Sequence, residues 1–216
     1  MATGAGAHPD TEQAVAGMGA KRLPVVIGLT GSSGAALAVR AVEVLGALGV
    51  PMHIAYTAAC KQVWPDELGH PIADDLADWK RRFGARVFNP DDFRAPASSG
   101  SFATAGMIVV PCSMRTVAAV AAGLSSNLVE RAADVAIKEG RPLVLVAREA
   151  PLSAIHLENM LKLARLGVRI VPPVPQFYLH PQTMDEVVDL IARRALAILG
   201  IEEALPPALR WRGEEE

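Results

Sequence analysis

Cysteine is almost missing from this chain: Cys60 and Cys112 are the only two among 216 residues. They stand far apart with no metal-type spacing, which argues against a disulfide framework or zinc motif and favours a reducing cytoplasm. Aromatic residues are scarce, at 5%. With Ala, Val and Leu abundant, the expected core is aliphatic, as in a parallel sheet covered on both faces. Neither sign of charge prevails, since 21 Lys and Arg stand against 23 Asp and Glu. No basic run interleaved with aromatics occurs, so nucleic acid is not an expected partner. No apolar stretch reaches bilayer length before Gly, Pro or a charge interrupts it, so no membrane association is expected. The Ala- and Gly-rich start lacks a cationic head and a continuous apolar run. Residues 1–20 therefore read as a disordered tail rather than a signal peptide.

What is present alternates between two periodicities. Short apolar runs at residues 23–29, 50–56, 106–110, 142–147 and 168–171 read as strands, with 86–88 as a short edge strand. Helical spacing follows at 34–48, from about 58, at 117–122, at 127–139 with Asn127 as cap, along the stretch SAIHLENMLKLARLG, and at 184–199. The Trp-bearing segment 64–83 fits neither pattern clearly. Residues 89–102 read as a Pro, Ser and Gly loop. Strand and helix in turn predict one α/β domain over residues 21–201, a three-layer, doubly wound and mainly parallel sheet, with a C-terminal tail over 202–216. Ligands in such sheets bind beyond the carboxyl ends of the strands. TGSSGA, Thr57, PCSMRT, AREAP and PPVPQFY each follow a strand, so one composite site is expected there.

Gly28, Gly31 and Gly34 span a strand-to-helix turn where backbone amides can approach a phosphate, and Ser32 and Ser33 add hydroxyls. Packing alone could also demand those glycines. No Asp or Glu ends the second strand to hold a ribose, which favours a mononucleotide over a dinucleotide. In PCSMRT, Ser113, Arg115 and Thr116 fit either a ligand grip or a helix cap. Cys112 reads as packing, having no local His to activate it. Arg131 and Lys138 are seven residues apart, on one helix face, with Arg141 beyond; they could present two cations to a phosphate, but taken alone they read as a solvated charged face. Arg148 and Glu149 close an apolar strand, where a part-buried carboxylate transfers protons or simply pairs with the arginine. His156 and Glu158 read as structural, and no metal site is expected.

The strings TGSSGA, PASSGS, PCSMRT, NLVERAADVAIKEGRPLVLVAREAPLSAIHLENMLKL and PQFYLHPQ together resemble the UbiX-type flavin prenyltransferase family, over about residues 25–201. The resemblance implies a flavodoxin-like or Rossmann-like fold, FMN as cofactor, and a homo-oligomer, a dodecamer built from trimers with sites at subunit interfaces. It implies transfer of a dimethylallyl group from dimethylallyl monophosphate to N5 and C6 of reduced FMN, giving prenylated FMN for UbiD-type decarboxylases. By position, FMN contacts fall to Gly31, Ser32, Ser33, Thr57, Ser113, Met114, Arg115, Thr116 and Arg148. Prenyl phosphate contacts fall to Arg131, Lys138, Tyr178 and Arg194, the last two donated to a neighbouring subunit. Glu149 is the implied acid/base, Ser33 a proton relay, Lys138 a catalytic cation and Glu67 a further site carboxylate; Trp211 is placed to cover the pocket. Two rivals differ in class. An FMN-dependent cysteine decarboxylase would carry an active-site His and a PAMN-like loop where PASSGS stands. A non-catalytic flavin carrier would not need Glu149, Lys138 and Arg194.

Overall fold

The apolar runs become one six-stranded, wholly parallel sheet in a computed structural model that describes residues 22–209. The expected N-terminal tail and Trp211 lie outside the described residues. The strands are β1 (Val25–Leu29), β2 (Met52–Tyr56), β3 (Arg86–Phe88), β4 (Gly106–Cys112), β5 (Leu143–Ala147) and β6 (Arg169–Ile170), in the order β3-β2-β1-β4-β5-β6. Every side chain of β1, β2, β4 and β5 is buried, because helices cover both faces.

Alternation along β1 sends Val25, Ile27 and Leu29 to one core and Val26 to the other. The first core is closed by α1 (Ala35–Ala47), α2 (Cys60–Leu68), α3 (Ile72–Phe83) and α7 (Met184–Leu199). The second is closed by α4 (Met114–Ala121), α5 (Leu128–Lys138) and α6 (Ala154–Arg165). The chain leaves β1 toward β2 on one side and later returns to add β4 on the other. The carboxyl ends of β1 and β4 therefore form the topological switch point, where a cleft opens in doubly wound sheets.

Three boundaries depart from expectation. Helix α4 starts at Met114, three residues earlier than its small-residue stretch suggests, because the Ser113 hydroxyl caps it by accepting from Thr116 N at 3.3 Å. The unclear segment 64–83 is two helices, α2 and α3, separated by Gly69 at φ 75 and by Pro71. Trp64 and Trp79 anchor it, both buried and meeting edge to face with centroids 6.3 Å apart. The expected tail from 202 instead begins with 3-10 turns at Glu202–Ala204 and Pro207–Leu209. Ala204 is buried and its carbonyl accepts from Arg193 Nη1 at 3.0 Å, which holds the first turn on α7.

His53, on the inner strand β2, is buried and stacked on Phe102 with centroids 5.1 Å apart. Its Nδ1 has no hydrogen-bond partner among the described residues. Burial, with the positive charge of Arg86, holds its pKa below the ordinary value. The folded protein therefore binds fewer protons than the unfolded chain, so stability present above the unfolded pKa of about 6.5 declines as pH falls below it. Melting temperature measured from neutral to mildly acidic pH should fall more steeply in the wild type than in His53→Phe.

Candidate active site at the switch point

The first loop, after β1, is set by close contacts. A Cβ at Gly31 would lie 2.3 Å from Ala59 Cβ, and one at Gly28 would lie 2.9 Å from Val129 Cγ1. Gly34 adopts φ 117, in the left-handed region, as it opens α1. These glycines therefore serve packing and backbone shape.

Two amides at the start of α1 are engaged by a side-chain carboxylate of this chain. The Glu67 carboxylate accepts from Gly34 N at 2.9 Å and Ala35 N at 2.8 Å through Oε2. A carboxylate at this position gains from the helix dipole as a phosphate would. Partial burial of Glu67 opposes its charge. Hydrogen bonds from the Ser33 side chain and the Ala35 and Gly34 amides, with the nearby Arg148 charge, outweigh that and lower its pKa. Glu67 is thus an ionised acceptor facing the exposed Ser33 hydroxyl.

Three loops are tied together beneath this surface. Thr30, itself buried, donates its hydroxyl to Pro111 O at 2.7 Å and accepts from Ser113 N at 3.0 Å. Ser32 is buried and donates to Arg148 O at 3.2 Å, while Arg148 Nε donates to Ser33 O at 3.3 Å. Met114 and Thr116 point into the core, whereas Ser113 is half-buried and Arg115 exposed. Thr57 is buried beside Cys60, with Oγ1 and Sγ 3.7 Å apart. Thr30→Val should therefore destabilise the fold by about 1–3 kcal/mol, because a buried amide and carbonyl lose their partner. Thr30→Ser should not, and urea unfolding of the two variants separates these outcomes.

Glu149 is exposed in the single chain and accepts from Ala150 N at 3.1 Å, rather than pairing with Arg148. Cys112 is fully buried, and burial pushes its thiol far up, in keeping with a packing role. Nδ1 of His156 accepts from Ser153 N at 3.3 Å, completing a capping box on α6. No group of three or more potential metal-binding side chains occurs among the described residues.

Along α5, Arg131 Nε donates to Ser98 O at 3.1 Å and Nη1 pairs with Asp134 at 3.0 Å. Lys138 pairs with Glu139 beside Gly100. Arg141 donates to the carbonyls of Gly100 and Phe102. Residues 96–101, the PASSGS string, thus lie clamped against both expected phosphate-binding cations. The string was visible in the sequence, but its arginine clamps join residues 33 to 41 positions apart and left no local signal. Thr30 was equally hidden, because both of its partners lie beyond residue 110.

Tyr178 and Arg194 are exposed, and they sit in the stretch ending in α7, on the opposite face of the sheet from α5. One chain therefore does not unite Arg131 and Lys138 with Tyr178 and Arg194. Several large apolar side chains are also exposed: Ile155, Leu157 and Leu161 on α6, and Val174 and Phe177 in the proline loop.

A family model described as Flavoprotein matches residues 16–196. The flavin prenyltransferase UbiX of Halalkalibacterium halodurans is 45% identical over 194 residues, which cover 88% of this chain and 93% of that protein. The chain belongs to the UbiX-type flavin prenyltransferase family. A dodecameric FMN-dependent UbiX-like decarboxylase from Escherichia coli O157:H7 superposes with a TM-score of 0.80 at 46% identity, covering 88% of this chain and all of that one. AnUbiX (PadA1), in complex with FMN and dimethylallyl pyrophosphate, superposes with a TM-score of 0.81 at 38% identity, covering 90% and 100%. The Rossmann-like layering expected from strand and helix alternation is thus shared with flavin prenyltransferases of known structure. No helix among the described residues is long and apolar enough to cross a membrane.

Proposed function

We propose that this flavin prenyltransferase moves a dimethylallyl group from dimethylallyl monophosphate to N5 and C6 of reduced FMN, making prenylated FMN for a UbiD-type decarboxylase. The observation that carries the reading is the convergence of the loops after β1, β2, β4 and β5 on the switch point, with Thr57 where a dinucleotide enzyme has a ribose-binding carboxylate. The residues present fit FMN. Ser113 and Arg115 offer a hydroxyl and a guanidinium for its phosphate. Gly31, Ser33 and Arg148 would line the rest, with the buried Ser32, Thr57, Met114 and Thr116 contributing by shaping backbone more than by exposed side chains.

When bound, reduced FMN supplies the nucleophilic N5 and C6. The chain acts on the donor and on protons. As the donor C–O bond breaks, charge grows on the departing phosphate, and Arg131, Lys138 and Arg194 meet it with Tyr178 as a further donor. Ser33, held by the ionised Glu67, and Glu149 would move the protons. No step asks for a metal.

Tyr178 and Arg194 reach the pocket from another copy, because α5 and α7 lie on opposite faces of the sheet. The exposed apolar side chains of α6 and of the proline loop suit such an assembly, a dodecamer as in the E. coli relative. Two buried, unpaired thiols suit a reducing cytoplasm. PASSGS in place of a PAMN-like loop separates this reading from cysteine decarboxylation. The deciding experiment is anaerobic incubation with reduced FMN and dimethylallyl monophosphate, followed by mass spectrometry of the flavin. Unmodified FMN from folded, flavin-loaded protein would overturn the proposal.

A further inference from the structure

We propose that Asp75 is a positioning residue for prenyl transfer: by joining Trp64 and His70 it fixes the last turn of α2 and so sets Glu67 against Ser33 and the start of α1. The inference rests on the place given to Glu67 above.

Glu67 is the penultimate residue of α2, a nine-residue helix with Pro65 inside it. So short a helix, interrupted in its hydrogen-bond ladder, holds its end in place only through tertiary contacts. Beside Glu67's own bonds to α1 and the packing of Leu68, two side-chain contacts converge on one oxygen. Asp75 Oδ2 accepts from Trp64 Nε1 at 2.7 Å and lies 3.0 Å from His70 Nε2. The other ring nitrogen, His70 Nδ1, lies 3.0 Å from Leu68 O, next to Glu67. The turn Gly69–Pro71 is thereby stapled at both ends, from the buried Trp64 to the first turn of α3.

This staple depends on protonation. A neutral imidazole has one N–H and donates to Leu68 O or to Asp75; an imidazolium donates to both. The hydrogen bond with Asp75 raises the His70 pKa against a smaller desolvation effect, aided by the charges of Asp75 and Asp74. Other charged groups share the cavity that His70 lines. Arg40 and Glu43 come from α1, and Asp185, Glu186 and Asp189 from α7. Arg40 is bonded to Asp189 and Glu43, so carboxylates prevail around the ring.

The test is anaerobic prenyl transfer by the full-length enzyme over the histidine titration range. In the wild type, kcat should contain a component that declines as His70 loses its proton. Asp75→Ala should lower kcat about 10- to 100-fold, the scale expected when a reacting group is displaced by about 1 Å. Asp75→Asn keeps an acceptor for Trp64 but not the charge. It should move the pH-dependent component of kcat and the His70 ring 15N titration to lower pH together, even if Asp75→Ala does not fold. Wild-type kcat and pH profile in the Asp75 variants, alongside a slow Glu67→Gln, would overturn the positioning role alone. Wild-type turnover in Glu67→Gln would remove the role on which the inference rests. Failure of the parent reading shows separately, as unmodified FMN in the wild type.

Discussion

Glu149→Gln should bind FMN as the wild type does yet transfer the prenyl group about 10²- to 10⁴-fold more slowly, the range lost when a positioned acid/base is removed. The amide is nearly isosteric and can still accept from Ala150 N, the contact Glu149 makes in this structure. The loop after β5 should hold its shape, because its ties run through the backbone oxygen of Arg148 and the carbonyl of Ser33 rather than through Glu149. Flavin absorbance after gel filtration reports binding, and single-turnover prenylation under anaerobic conditions reports the chemistry. Turnover at the wild-type rate would take Glu149 out of its assigned role.

The second expectation concerns two impaired proteins that restore each other. Arg194→Ala should lose about 10- to 100-fold in kcat/KM, since a hydrogen bond to a charged group contributes about 1.5–3 kcal/mol. Mixed with Glu149→Gln by unfolding and refolding together, it should form hetero-oligomers with active sites. Each site takes Glu149 from one chain and Arg194 from another. With equal amounts, random assembly leaves both residues intact in about a quarter of the sites. A site built within one chain would contain one damaged residue in every case, and the mixture would stay as slow as its parents. Recovery to about a quarter of the wild-type rate supports the shared site, and none refutes it.

Much of the fold was legible because each signal was local. The runs LPVVIGL, GMIVV and PLVLVA are apolar on both faces, as strands of a covered parallel sheet must be, and each appears as a buried strand. Asn127 capped α5 as expected, its side chain accepting from Glu130 N at 3.0 Å. The site was legible as a set of motifs but not as a set of contacts. Glu67 had no visible partner because the amides it caps lie 32 and 33 residues upstream, in a segment whose helices are short and interrupted. The small residues after PCSMRT hid the true start of α4, which a single serine hydroxyl decides. Arg131 and Lys138 could be placed on one face by spacing. That α7 lies across the sheet from them needed the strand order, and no spacing within a helix carries that information.

The ties made by Thr30 bear on how the protein matures. Its two hydrogen bonds span 81 and 83 residues, from the end of β1 to the end of β4. A growing chain on the ribosome has made its first loop long before the segment that completes it exists. Until β4 pairs with β1, no formed cleft waits for a flavin, and cofactor cannot template the first half of the chain. Loading therefore follows pairing across the middle of the sheet.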